Sequence, residues 1–141
     1  MKGRNRMPFV HTTKVQLYHT DSAGILFYSK IFELAFEAFD AFLAKCGTSV
    51  SYILTTADFT MPFVHAQADY LLSLVVGDVV KIVIKVDKIG DSSFALLYHF
   101  LKEDQTVGRV KTIHVTVSKE TGQKIPLPGK IRRGLELCAS D

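Results

Sequence analysis

KIFELAFEAFDAFL, residues 30–43, holds ten apolar side chains, four of them phenylalanine, and only four polar ones. The spacing is helical. Set at 100° intervals, Lys30, Glu33, Glu37 and Asp40 gather into an arc about 80° wide, and the rest of the circumference is apolar. A helix resting on one face of a sheet would show a wider polar face. This one reads as wrapped by a sheet on most sides, from about Ser29 to Ala44, with Gly47 as its C-terminal stop.

Upstream, residues 11–18 (HTTKVQLY) set Thr13, Val15 and Leu17 against Lys14 and Gln16, the period-2 pattern of a half-buried strand. The chain then turns through Asp21, Ser22 and Gly24. Downstream, a loop over Thr48–Phe59 leads into residues 63–72, with Phe63, His65, Gln67 and Asp69 on one side and Val64, Ala66, Ala68, Tyr70 and Leu72 on the other. After a Gly77-Asp78 turn, Val80, Ile82, Ile84 and Val86 face inward and Lys81, Lys85 and Asp87 outward. A Gly90-Asp91 turn precedes a strand over Ser93–Leu101. Turns at Glu103–Gln105 and Thr121-Gly122 bracket a last long strand over Val107–Ser118, and a short helix is expected beyond Pro126 and Pro128. Hairpin-length connections make the four later strands antiparallel neighbours, with the first strand joining the sheet elsewhere. The expected class is α+β, one long central helix wrapped by a curved antiparallel sheet of five or more strands.

At 141 residues the chain is expected to form one domain over 1–141, with 1–10 a basic flexible arm, Met7 an alternative start, and 126–141 a C-terminal extension. A composition 48% hydrophobic and 22% charged is globular rather than disordered. No apolar run approaches the roughly 20 residues of a membrane span, because Glu33, Glu37 and Asp40 interrupt the longest. No membrane partner is therefore expected. The N-terminus lacks the apolar core of a signal peptide. Cys46 and Cys138 show neither metal-ligand spacing nor a disulfide framework, which points to a reducing cytoplasm. A net charge of +3 fits a phosphate-bearing small ligand, and the cluster Lys130, Arg132 and Arg133 is too short for a nucleic-acid surface.

Asp21, taken alone, is a turn residue or a helix N-cap. The functional alternative places the carbonyl of an acyl substrate between its carboxylate and the helix start, where unpaired N–H groups and the positive dipole end lie. The run Asp21-Ser22-Ala23-Gly24-Ile25, then Tyr28, then the phenylalanine-rich helix resembles the active-site segment of the 4-hydroxybenzoyl-CoA thioesterase family, which has the hotdog fold. The likeness extends from about Thr13 to Val117 and includes Pro62-Phe63-Val64 and Gly77-Asp78. It implies that Asp21 is the catalytic carboxylate, acting as nucleophile or as general base toward water. It also implies that the Tyr28 backbone N–H polarises the thioester carbonyl, and that Gly24 lets the loop approach the substrate and offers a second N–H. Neither cofactor nor metal is implied, because a thioester is weakly resonance-stabilised and a thiolate leaves readily.

The resemblance departs at Lys88-Ile89-Gly90-Asp91-Ser92-Ser93, where the family carries arginines for the nucleotide phosphates. Lys88, Lys85, Arg109 or the Lys130/Arg132/Arg133 cluster are the candidate replacements. His19 is a candidate to steer water or orient Asp21, against the reading of a solvent-facing strand-end histidine. His65 is a candidate to line the acyl pocket, against an interface role. His99 and His114 read as structural, Glu33 and Glu37 as supporting or solvated, and Phe32, Phe36, Phe39 and Phe42 as core with one or two shaping the pocket. The resulting expectation is an acyl-CoA thioesterase acting on a small or aromatic acyl group, of hydroxybenzoyl or dihydroxynaphthoyl type, assembled as a homodimer or homotetramer with no nucleic-acid partner. The competing readings are a non-catalytic acyl-CoA or acyl-carrier binding module, and a dehydratase pairing His65 with Glu33.

Overall fold

In the computed structural model, which describes residues 8–138, the phenylalanine-rich stretch is a 16-residue helix, α1, Lys30–Lys45. Ile31, Leu34, Ala35, Ala38, Phe39, Phe42 and Leu43 are buried along it, while Glu33, Glu37 and Asp40 face solvent. The helix ends as read: the Gly47 N–H donates to Ala44 and the Thr48 N–H to Leu43, both at 3.1 Å. These two bonds satisfy carbonyls that the last turn leaves open.

The sheet that wraps α1 has five antiparallel strands, β1 (Phe9–Lys14), β3 (Phe63–Tyr70), β4 (Val79–Ile89), β5 (Ser93–Lys102) and β6 (Gln105–Val115), in the order β1-β4-β5-β6-β3. The inward residues of β4 are those the alternation named, Val80, Ile82, Ile84 and Val86, all nearly inaccessible. They meet Leu34, Phe42 and Leu43 in one core with Tyr98, Phe94 and Phe100 of β5. Gly108 of β6 lets the helix come close, since a Cβ there would lie 3.1 Å from Ile31 Cδ1 and 3.2 Å from the Asp69 carbonyl oxygen.

Four details differ from the sequence reading. β1 runs from Phe9 to Lys14, beginning inside the expected arm and stopping before Leu17; residues 1–7, with Met7, lie outside the described residues. Leu17–His19 forms a 3-10 turn that exposes Leu17 and Tyr18. Next, β3 does not neighbour β4 but pairs with β6 at the far edge, because Gly77-Asp78 is not a hairpin turn: its backbone bonds to Val15 instead. A bulge between Phe63 and His65 also breaks the alternation of β3. Phe63, Ala66, Ala68 and Tyr70 oppose the inward residues of β6, and His65, Gln67 and Asp69 take the outer face.

Lastly, the expected loop over Thr48–Phe59 contains a helix, α2 (Val50–Thr55), whose start is capped by the Ser49 hydroxyl accepting from the Tyr52 N–H. It also leads into a short strand, β2 (Phe59–Thr60), paired with β7 (Val117–Ser118). The C-terminal helix α3 (Gly129–Leu137) buries Ile131 and Leu135 in the core. Among the described residues no helix is long and apolar enough to cross a membrane.

Candidate active site

Asp21 sits at the tip of a tight loop between β1 and α1, and its sequence dictates that shape. The Asp21 Oδ1 accepts the N–H groups of Ala23 (2.9 Å) and Ile25 (3.2 Å), an Asx turn that only a short side-chain acceptor can make. Gly24 stands at φ +76°, in the left-handed region open to glycine. Its N–H closes the turn on the Asp21 carbonyl at 3.0 Å. The second donor expected from Gly24 is therefore already spent inside the loop. The base of the loop is stitched by the Phe27 N–H to His19 O (2.9 Å) and the Leu26 N–H to Leu74 O (2.8 Å).

Asp21 is exposed, and none of the ion pairs among the described residues involves it. Its charge is free to act on something else. Tyr28 lies two residues before α1, and its N–H has no partner among the described residues. The Tyr28 carbonyl, by contrast, is held by the phenol of Tyr70, which fastens the mouth of α1 to the end of β3. Burial, with the nearby Tyr28 phenol, pushes the Tyr70 hydroxyl above its ordinary range and keeps it a neutral donor. Sequence reasoning missed this residue, because its alternation marked only a face of a strand.

A groove of about 580 Å³ runs beside the first turns of α1, between the helix and β3. Phe32, Phe36, Phe63 and Ala66 line it, so two of the four helix phenylalanines shape a pocket while Phe39 and Phe42 fill the core. The groove begins at Phe32, one helical turn beyond Tyr28. The acid and the N–H without a partner among the described residues both lie in the segment that leads into α1, and the cleft lies along the first turns of that helix.

The remaining candidates separate. His19 is buried, its Nδ1 accepting the Gln16 N–H at 2.9 Å. It adds positive potential to Glu37. Partial burial raises the Glu37 pKa, but hydrogen bonds to His11 (2.7 Å) and Thr13 and the potential of both histidines outweigh it and hold the carboxyl below its ordinary range. Glu33 pairs with Lys30 at 2.8 Å. His65 bonds Gln67 at 2.8 Å on the outer face of the edge strand. It does not line the groove, and Glu33 does, so the dehydratase pair is not assembled within the chain.

Lys88 is exposed near the end of β4, ten residues from Asp78 and so about 33 Å of strand away from the Asp21 loop. Arg132 is committed to the β4–β5 turn, donating to Gly90 O at 2.7 Å. Lys85 and Arg109 flank His99 on the outer sheet face, where burial and their charges push His99 down.

Comparison with known proteins identifies the family and the fold. A family model described as the thioesterase-like superfamily matches residues 15–135. A 1,4-dihydroxy-2-naphthoyl-CoA hydrolase from Prochlorococcus marinus (strain NATL2A) is 30% identical, the match covering 90% of this chain and 86% of that one. The crystal structure of a 1,4-dihydroxy-2-naphthoyl-CoA thioesterase from Synechocystis superposes with a TM-score of 0.85 at 25% identity, covering 91% of this chain and 95% of that one. A gentisyl-coenzyme A thioesterase structure superposes with a TM-score of 0.79 at 25% identity, over 89% of this chain and 98% of that one. With one helix wrapped by a five-stranded antiparallel sheet, a family match over residues 15–135 and relatives that are thioester hydrolases, the chain belongs to the thioesterase-like superfamily and is a hotdog-fold thioester hydrolase.

Proposed function

We propose that this protein is a cytoplasmic, single-domain acyl-CoA thioesterase that hydrolyses an aromatic acyl-CoA, with 1,4-dihydroxy-2-naphthoyl-CoA the first substrate to test and 4-hydroxybenzoyl-CoA the second. What supports it is an Asp21 carboxylate with no ion-pair partner and a Tyr28 N–H with no partner among the described residues, seven residues apart on the approach to α1, with a largely apolar groove along that helix. The relatives' names supply the choice of acyl group.

The acyl group lies in the groove with its carbonyl oxygen toward the Tyr28 N–H and the positive end of α1, which stabilise the charge that develops there. Asp21 approaches the carbonyl carbon from the other side. Acting as nucleophile, it expels the CoA thiolate and leaves a mixed anhydride that water opens. Acting as base, it takes a proton from the water that attacks. Either route ends in free acid and CoA. Exposed Lys88 and the Lys85/Arg109 pair are candidates for the CoA phosphates, reaching them from a neighbouring subunit, since Lys88 lies far from its own Asp21 loop.

A dimer formed along β3, and tetramers from such dimers, follows the same logic. β3 is an edge strand with Phe63, Val64 and Tyr70 each more than two-fifths exposed, and an uncovered apolar edge invites pairing. The groove against Phe63 and Ala66 would then be closed by the partner. The test is thiol release over a panel of acyl-CoAs, aromatic and short aliphatic. The proposal expects turnover with an aromatic preference. Affinity without released CoA would instead establish a binding module.

A further inference from the structure

The floor of the groove is not wholly apolar. Tyr98 of β5 and Thr112 of β6 both line it, although each is at most 2% exposed. The Tyr98 hydroxyl lies 3.1 Å from Thr112 Oγ1, and Thr112 Oγ1 lies 3.0 Å from His114 Nε2. Behind them the His114 ring is stacked against Phe94 and Phe39, with centroids 4.8 Å and 4.7 Å away. Burial pushes His114 down to about 4, partly offset by the Met61 backbone. The ring is therefore neutral at pH 7, with one nitrogen a donor and the other an acceptor.

A three-member relay of this kind has a fixed arithmetic. With the proton on Nδ1, Nε2 accepts from the Thr112 hydroxyl, Thr112 accepts from the Tyr98 hydroxyl, and the Tyr98 oxygen keeps an unused lone pair. With the proton on Nε2, every bond reverses and the Tyr98 O–H itself is left unused. In both tautomers the phenol, already bonded to Thr112, keeps one further hydrogen-bonding function available to a ligand. Among the described residues, the open space that Tyr98 lines is the groove.

We propose that Tyr98 recognises a ring hydroxyl of the acyl group, with Thr112 and His114 positioning it. A phenol suits the site because it both donates and accepts, and so meets either tautomer. An unsubstituted ring meets neither. The position suits it too: Ala66, the register partner of Thr112, is four residues from Tyr70, which holds Tyr28, a span of about 13 Å along the strand that one or two fused rings can fill.

This inference rests on the thioesterase reading given above, and the experiment separates the two. Values of kcat/KM are measured for two pairs, 4-hydroxybenzoyl-CoA against benzoyl-CoA and 1,4-dihydroxy-2-naphthoyl-CoA against 2-naphthoyl-CoA, with wild type, Tyr98→Phe and Thr112→Ser. The expected result is a preference for the hydroxylated member in wild type that falls about ten-fold in Tyr98→Phe, mainly through KM. Tyr98→Phe should cost the hydroxylated member clearly more than the unsubstituted one, and Thr112→Ser, which retains a hydroxyl, should keep the preference. A wild type that treats the two members alike within two-fold overturns the proposal whether or not Tyr98→Phe folds. Equal loss on both members in Tyr98→Phe also overturns it, because that marks a structural role. If no acyl-CoA in the panel releases thiol, the thioesterase reading falls. The hydroxyl site is then judged by calorimetric binding of 4-hydroxybenzoate against benzoate, where equal affinities reject it and a preference lost in Tyr98→Phe supports it.

Discussion

Replacing Asp21 by asparagine and, separately, by alanine distinguishes a catalytic carboxylate from a loop staple. The carboxylate does two things in the structure: one oxygen holds the Ala23 and Ile25 N–H groups, and the charge is left unpaired. Asparagine keeps an oxygen in the place of Oδ1, so the turn should persist with a loss below about 1 kcal/mol, since only the charge-assisted part of two exposed bonds is removed. Alanine removes both bonds, about 1–2 kcal/mol in a solvent-facing loop, or a fall in Tm of about 3–7 °C for a chain of this size. Loss of a general acid–base group lowers the rate by about 10²–10⁴. The two variants should therefore be similarly inactive in thiol release while melting at different temperatures. An asparagine variant that keeps a third or more of wild-type kcat refutes the role given to Asp21. An asparagine variant that loses as much Tm as alanine refutes the claim that the turn needs only the oxygen.

Two further perturbations test the packing that positions the site. Between the ordinary histidine value of 6.5 and a folded value of about 4, the unfolded chain takes up a proton that native His114 refuses. Wild type should thus lose about 3 kcal/mol of stability as pH falls through that window, whereas His114→Phe, which keeps the stack on Phe94, should lack that component; parallel denaturation curves for the two proteins at pH 7, 5.5 and 4.5 would contradict it. At Gly108 an added methyl meets Ile31 Cδ1 at 3.1 Å and the Asp69 carbonyl at 3.2 Å, so Gly108→Ala should cost about 1–3 kcal/mol. Ile31→Val in the same chain should recover part of that loss, and a strictly additive double variant in denaturant titration would show that the contact is not the cause.

The long helix, the inward residues of β4 and the Asp21 turn were legible in the sequence because each rests on a local rule: a 3.6-residue period, a 2-residue period, and an Asx turn closed by glycine. What the sequence did not show is what depends on partners distant in the chain. The bulge at Val64 moves Phe63 to the helix side and leaves His65 outside, and no residue type announces it. α2 is only six residues long and leaves one side chain, Ile53, buried, too short a pattern to stand out. His19 read either as a residue orienting Asp21 or as a solvent-facing strand-end histidine, yet it is buried, because a 3-10 turn redirects the backbone after Gln16. Of the groove, the sequence suggested that helix phenylalanines would contribute, but Tyr98 and Thr112 come from strands whose hydroxyls meet only through the β5–β6 register.

The sheet order also explains why the site is where it is. With β3 at the far edge beside β6, the chain must return across the end of the sheet to begin β4, and Leu71–Asp78 makes that crossing. The crossing segment is bound to everything it passes. Leu71 and Leu72 donate to Val107 O, Leu74 O accepts from Leu26, Val76 donates to Gly24 O, and Gly77 donates to Val15 O. The loop that carries Asp21 is thus held from below by the crossover as well as from within by the Asp21 carboxylate. Tyr70, at the start of the crossing, holds the carbonyl of Tyr28, while the Lys30 N–H donates to Phe27 O at 2.9 Å and so holds the peptide plane that carries the Tyr28 N–H. A carboxylate and a donor seven residues apart in sequence are in this way held to one frame, whose other end is the exposed edge strand. Any contact that orders β3, including a second subunit, therefore acts on the geometry of the Asp21 loop through the backbone.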